Sequence, residues 1–218
     1  MTAWSGRRVL VTAGPTFEDI DPVRFIGNRS SGKMGFAIAA AAARRGADTV
    51  LVAGPVHLPT PPGVQRVDVR SAAQMHEAVM AALPADVYVG AAAVADFTPR
   101  AVAADKIKKV AGQDTLALEL VRTPDILAAV AHDARRPRVV VGFAAETTEV
   151  AGYARDKLVR KRVDLIAANR VGVAGSGFES DDNALTVYWN DGERTLGPAP
   201  KTTLADALLD LVEERLPR

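Results

Sequence analysis

Gly27-Asn28-Arg29-Ser30-Ser31-Gly32-Lys33-Met34-Gly35 leads into an Ala-rich run over residues 36–45 that reads as a helix. An apolar strand, residues 9–13, precedes it, and a second, residues 49–53, follows. A helix held between two short apolar strands restricts the chain to folds in which parallel strands are covered by crossover helices. Glycines and small residues where the helix starts let a ligand approach the backbone, and free N–H groups with the helix dipole favour an anion there. A phosphate site is the first expectation.

Three readings of that segment compete. A P-loop needs Gly-x-x-x-x-Gly-Lys and then Ser or Thr, but Gly27…Gly32-Lys33 is followed by Met34, which cannot ligate magnesium. A dinucleotide fingerprint needs three closely spaced glycines; only Gly32 and Gly35 have the right interval, and no acidic ribose ligand follows residues 51–53. The plainest alternative is a helix start capped by Ser30 or Ser31, with the glycines serving close helix–sheet packing.

Strand and helix patterns continue to alternate. A Pro-rich loop over 55–63 leads to a strand at 64–69. Ser71-Ala72-Ala73-Gln74 has capping-box form, with Met75, Val79 and Leu83 at helical spacing behind it. Residues 86–93 read as a buried strand ending in tiny side chains. The rhythm breaks over 94–121, where 115–120 alternates enough to be an extended arm. Thr123-Pro124 reads as an N-cap followed by proline. A strand over 138–142, a basic helix carrying Tyr153, Lys157 and Lys161, and a strand over 164–169 follow. Asp191-Gly192 then centres a hairpin, and Leu204, Leu208, Leu211 and Leu216 mark a final amphipathic helix. The expected fold is α/β: a Rossmann-like, mostly parallel sheet with helices on both faces, an extended arm at about 97–121 and a C-terminal β-hairpin, in one domain over 1–218.

Composition narrows the chemistry. A net charge of +1 over 218 residues gives no reason to invoke nucleic acid or a membrane surface. There is no cysteine for a thiol nucleophile or thiolate zinc site, and His57, His76 and His132 have no ligand spacing. A cytoplasmic enzyme or binding protein is expected. In open parallel sheets ligands bind beyond the carboxyl ends of the strands. Those ends here are Gly14-Pro15, residues 90–96, residues 142–147 and Asn169, and they should converge with the Ser30/Gly32 helix start. Asp96 could hold Mg²⁺, and Lys106 and Lys108 would share one face of an extended segment, near enough to neutralise phosphoryl oxygens. A solvated basic loop is the bland alternative. Lys157 and Lys161, one turn apart, could reach one ligand or could complement the helix dipole. No Ser-His-Asp or paired-carboxylate arrangement is evident. That suits phosphoryl or nucleotidyl transfer to a substrate carboxylate, which brings its own nucleophile.

Six segments in one order carry a resemblance: Val11-Thr12-Ala13-Gly14-Pro15-Thr16, Asp21-Pro22-Val23-Arg24, Asn28 through Gly35, Ala91-Ala92-Ala93-Val94-Ala95-Asp96, Lys106-Ile107-Lys108-Lys109 and Gly142-Phe143-Ala144-Ala145-Glu146-Thr147. Together they resemble the phosphopantothenate–cysteine ligases of coenzyme A biosynthesis in their bacterial form, from about Arg7 to the last helix. The resemblance implies that 4′-phosphopantothenate and CTP, with Mg²⁺ or Mn²⁺, give an acyl-cytidylate and pyrophosphate, and that cysteine then displaces CMP. It implies catalytic roles for Asn28, in converting the intermediate, and Lys106, in forming it. It places Gly14, Ser30, Gly32, Gly35, Gly90, Ala91, Ala92, Asp96, Lys106, Pro124, Asp125, Ile126, Leu127, Phe143, Lys157, Lys161 and Asn169 around the nucleotide, with Asp96 at the metal. Asn28, Ala92, Ala93 and Asp96 would touch phosphopantothenate, and Arg24 would reach its phosphate from a second subunit. Relatives often carry histidine or phenylalanine where Arg29 stands, so Arg29 is given no role. The family is dimeric and commonly fused behind a flavin-dependent decarboxylase, so the arm is expected to be a dimer contact and a decarboxylase a natural partner. Two other readings stay open. One is an NAD(P)-dependent oxidoreductase, whose Tyr-x-x-x-Lys spacing is matched by Tyr153-Ala154-Arg155-Asp156-Lys157, although here it follows the fifth parallel strand. The other is a non-catalytic nucleotide-binding subunit.

Overall fold

The computed structural model describes residues 2–109, 111–112, 114–146, 149–170 and 180–216. Thr147 of the expected strand end and positions 110 and 113 of the arm lie outside the described residues. Strand β1 (Arg8–Ala13) is followed by a short hairpin, β2 (Phe17–Asp19) and β3 (Phe25–Gly27), and then by helix α1 (Lys33–Arg44). Next come β4 (Asp48–Ala53), β5 (Val64–Asp68), α2 (Ala72–Ala82) and β6 (Val87–Gly90). The excursion begins with β7 (Phe97–Pro99) and returns with β8 (Leu120–Arg122). Helix α3 (Ile126–His132), β9 (Val139–Glu146), α4 (Val150–Lys161) and β10 (Leu165–Arg170) complete the parallel part. The hairpin β11 (Asp182–Trp189) and β12 (Gly192–Pro200) and helix α5 (Lys201–Glu213) end the chain.

Eight strands form one sheet in the order β12-β11-β10-β9-β6-β1-β4-β5. The six strands from β10 to β5 run parallel, and β11 and β12 add antiparallel. Alternation along the strands feeds two cores. Val9, Val11, Leu51, Val89 and Val141 face α1 and α5, whose Ile38, Ala41, Leu204 and Leu208 are fully or almost fully buried. Leu10, Val50, Tyr88, Val140 and Ile166 face α2, α3 and α4 through Met75, Val79, Val130 and Leu158. Both faces are therefore covered, as near-continuous apolar strands require. Among the described residues no helix is long and apolar enough to cross a membrane.

The order has a switch point. From β1 the chain builds outward through β4 and β5, then returns to lay β6 on the other side of β1. Loops from the two strands part there, leaving a crevice at their carboxyl ends.

Several local expectations are corrected. The long connection after β1 contains the β2–β3 hairpin, in which the Phe17 and Phe25 rings stack at 3.9 Å. The first residues are fastened to the end of the chain, since Trp4 is buried and donates from Nε1 to Glu213 at 2.6 Å. Strand β6 stops at Gly90; beyond it the backbone of 91–95 bonds to Thr12 at the end of β1 and to Gly14 and Thr16 in the turn after it. Helix α3 is capped by Asp125, whose carboxylate accepts from Ala128 N at 3.0 Å, while Thr123 donates to Ala95 O at 2.6 Å. Residues 115–120 do not form a strand over their length; only Leu120 enters a ladder, the stem that β7 and β8 make together. The capping box at Ser71 and Gln74 is present, as is the hairpin about Asp191-Gly192.

Helix α1 starts differently from the serine-capped alternative. Its N-cap is Gly32, with φ +77 in the left-handed region and no side chain to cap the first turn. One turn in, a Cβ on Gly35 would lie 2.5 Å from Ala13 Cβ and 3.0 Å from Thr12 O. Gly35→Ala should push α1 off β1 and destabilise the fold by about 1–3 kcal/mol, as overpacking does. Urea unfolding of the variant beside wild type checks this, and an unchanged midpoint would refute the close-contact account.

Candidate active site

Two cavities of about 490 and 450 Å³ open at the carboxyl edge of the sheet and share a wall made of Ala92, Val94, Asp96, Phe143 and Lys157. Two adjoining cavities with different linings suit a ligand with dissimilar ends.

The first cavity is lined by Gly90, Pro124, Asp125, Ile126, Leu127 and Lys161, with Tyr88, Arg122 and Arg160 added. The loop before α3 forms one side. It is held to the loop after β6 by Thr123, whose N–H donates to Asp96 O at 3.0 Å. Lys161 pairs with Asp125, linking α4 to the α3 cap. Burial pulls the Lys161 pKa below the ordinary lysine value, and the Asp96 carboxylate opposes that. Lys157 donates to Phe143 O at 2.7 Å, which sets its ammonium on the shared wall. Deep burial raises the Tyr88 pKa, so that phenol stays protonated.

The second cavity holds the helix start at which the sequence leads one to expect an anion. Asn28, Ser30, Gly32 and Gly35 line one side, Ala91, Ala92 and Ala93 the floor, and Asn169 the far side. The first-turn N–H groups of a helix point out of its N-terminus, here from a start with no side-chain cap and at the positive end of the dipole. The floor is fixed by backbone bonds. Ala93 N donates to Gly14 O at 2.9 Å and Ala91 N to Thr12 O at 3.2 Å. Ala92 N reaches the Thr12 hydroxyl at 3.3 Å. Asn28 donates from Nδ2 to Ala93 O at 3.0 Å, so its amide is tied to the same floor.

Three expected residues line neither cavity. Gly14 lies behind Gly32, where a Cβ on Gly32 would come within 3.4 Å of its Cα; its part is to let α1 approach. Arg24 and Lys106 are elsewhere but close to one another. Asp21, buried in the β2–β3 turn, accepts from Val23 N and Arg24 N, both at 2.8 Å, from Arg24 Nε at 3.0 Å, and from Ile107 N at 3.1 Å. Arg24 also donates to Ile107 O at 2.9 Å. The Arg24 guanidinium, with those N–H groups, holds the Asp21 carboxyl well below the usual carboxylate range. The hairpin and the Lys106 strap of the arm are thus fastened together, with Lys106 exposed.

Lys33 of the P-loop-like segment lines the second cavity too, and so do Asn183 and Lys201, which nothing in their local sequence marks as ligand contacts. Lys201 opens a helix whose apolar pattern becomes regular only at Leu204, and Asn183 reads as the start of a hairpin. No short-range spacing joins them to α1. The Tyr-x-x-x-Lys spacing does not build an oxidoreductase pair here, because Tyr153 is half exposed and outside both cavities. Among the described residues no three His, Cys, Asp or Glu side chains cluster as a metal site, so a divalent ion would depend on Asp96 together with ligand oxygens.

Comparison with known proteins agrees with this fold. The chain is 55% identical over 212 residues to the coenzyme A biosynthesis bifunctional protein CoaBC of Vibrio cholerae, covering 97% of this chain and 53% of that protein. It is 53% identical over 209 residues to CoaBC of Escherichia coli, covering 95% of this chain and 52% of that protein. The chain therefore spans about half the length of the curated relatives it matches. A crystal structure of the C-terminal domain of a CoaBC protein superposes with a TM-score of 0.82 at 40% identity, over 98% of this chain and 97% of that one. Over residues 4–216 the sequence matches the family described as the DNA/pantothenate metabolism flavoprotein C-terminal domain, and the chain belongs to that family.

Proposed function

We propose that the chain is a phosphopantothenate–cysteine ligase domain over 1–218, which joins 4′-phosphopantothenate to cysteine at the expense of CTP. The observation that carries this reading is the pair of cavities sharing the Asp96–Phe143–Lys157 wall in a member of this family. One end offers an apolar and aromatic bed with two lysines, suited to a nucleoside and its first phosphate. The other offers an uncapped helix start, suited to the phosphates that follow.

In the first step a carboxylate oxygen of phosphopantothenate attacks the α-phosphorus, and the bond to pyrophosphate breaks. In the second the cysteine amine attacks the acyl carbon, the bond to CMP breaks, and the amine loses a proton. Lys157 and Lys161 line the cavities where they could offset charge on the phosphoryl oxygens, and Asn28, tied to the Ala93 carbonyl, would act on the acyl carbon. Asp96 fits as the one protein carboxylate holding Mg²⁺ or Mn²⁺ against the phosphates, an ion that would neutralise charge there.

The arm has a function in this reading. Leu116, Leu118 and Leu120 of the arm and Val23 and Phe25 of the hairpin are large apolar side chains left exposed. Together they suit a two-fold contact with a second copy. Arg24 and Lys106, absent from the chain's own cavities, are carried on that same unit and would complete the site of the partner. A fused or associated decarboxylase and a cytoplasmic setting fit the relatives' biosynthetic role.

The purified chain with Mg²⁺, CTP, 4′-phosphopantothenate and cysteine should release pyrophosphate and CMP in step with amide formation. Pyrophosphate release that needs no phosphopantothenate, or oxidation of NADPH instead, overturns the assignment.

Two substitutions separate the half-reactions. Asn28→Asp should let acyl-cytidylate accumulate, whereas Lys106→Gln should suppress its formation, each at a cost of roughly 3 kcal/mol in the affected barrier. Rapid-quench analysis checks this, and the intermediate appearing equally in both variants contradicts the assigned roles.

Mixing Arg24→Ala with Asn28→Asp, each nearly inactive alone, tests the shared site. Heterodimers make up about half the molecules and keep one of two sites intact, so activity should recover to about a quarter of wild type. A fully active monomer at assay concentration is incompatible with sites built from two chains.

A further inference from the structure

Lys201 is an unusual side chain to find beside the second cavity. It is only 6% exposed, although it carries a charge and stands at the first position of α5. Lysines are almost never so buried unless the charge has something to meet. Its ammonium donates to Ser180 O. Lys33, at the first position of α1, donates to Asp181 at 2.7 Å. Both lysines line the cavity that holds the uncapped start of α1, so two cations and the positive end of a helix dipole bear on one wall. Burial, and then the Lys33 charge, hold the Lys201 pKa below the ordinary lysine value, with Asp181 opposing. The neighbouring Asp181 carboxylate is itself held below its usual range by Lys33, and its side chain is 87% exposed.

Lys201 is buried and Lys33 keeps about a third of its side chain exposed (35%), and two cations lining one cavity raise the positive potential there. A multiply charged anion entering the cavity would be drawn to it. The position along the cavities says which anion. The nucleoside end is bounded by Pro124, Asp125 and Lys161, and Lys157 stands on the shared wall. Of the two cavities Lys201 lines the second and not the first, and with Lys33 it also borders an apolar pocket beside Leu58 and Pro61.

We infer that Lys201, assisted by Lys33, forms the subsite for the terminal two phosphates of the nucleoside triphosphate, and hence for the pyrophosphate that leaves. This rests on the ligase reading for the identity of the nucleotide but not for the anion itself. Neither lysine takes part in bond making. They hold the departing diphosphate in line and let affinity distinguish a triphosphate from a monophosphate.

Isothermal titration of wild type, Lys201→Met, Lys201→Arg and Lys33→Met with CTP, CMP and inorganic pyrophosphate, each with Mg²⁺, tests the subsite. Lys201→Met should weaken CTP and pyrophosphate by about 10-fold or more, the loss of a charge-assisted hydrogen bond, and leave CMP within about twofold. Lys201→Arg should retain most of the triphosphate affinity. Lys33→Met, at a more exposed position, should give a smaller loss of the same selectivity, and it decides the matter if Lys201→Met does not fold. Equal losses for CTP and CMP, or no loss for pyrophosphate, overturn the subsite. A wild type that binds pyrophosphate through Lys201 but prefers no cytidine nucleotide keeps the subsite and removes the CTP reading.

Discussion

The carboxyl edge of this sheet depends on one missing atom. At Gly35 the helix α1 comes so near β1 that a single methyl group would sit 2.5 Å from Ala13 Cβ. That approach brings the start of α1 over the switch point between β1 and β6. It also requires Gly32 to turn the chain with positive φ, which leaves the first turn with no side-chain cap. A serine cap would have satisfied a first-turn donor with its side chain; the glycine supplies no such cap. Close packing and a helix start without a side-chain cap are thus two results of the same close contact.

Much of the fold is legible because its strands are short apolar runs between helical spacings. Val9 to Val11 and Val139 to Val141 could scarcely be anything but buried strands once helices flank them, and Asp191-Gly192 marks its hairpin by turn chemistry alone. The errors fall where long-range bonds decide. Thr123 looks like a cap by spacing, yet its hydroxyl is used on Ala95 O, and Asp125 two residues later takes the role. Residues 91–93 look like the end of β6, yet their N–H groups go to Thr12 at the end of β1 and to Gly14 just after it. The β2–β3 hairpin has no alternating pattern, because its turn is organised by the buried Asp21 carboxylate.

The candidate site divides the same way. Glycines and alanines at strand ends announce it, since side chains must be small where a ligand meets backbone. Most of the residues so marked do line one or other cavity. Lys201 is silent in the sequence because its meaning comes from a cavity shared with a helix start 168 positions earlier (201 − 33). Arg24 and Lys106 show the converse: their motifs are plain, but their place in the chain's own cavities is not, because both are fastened to the arm and hairpin through Asp21.

The bond from Trp4 to Glu213 has a consequence for how the chain can be joined to other things. It closes the start of the chain onto the end of α5, beside the edge where β1 begins. The crevice lies at the other edge, where β1 finishes and α5 starts with Lys201. Both exits from the domain therefore share one pole, remote from the ligand entrance. A tag, a surface tether or a neighbouring domain attached there could be held rigidly through Trp4 while substrate traffic at the opposite pole stayed clear.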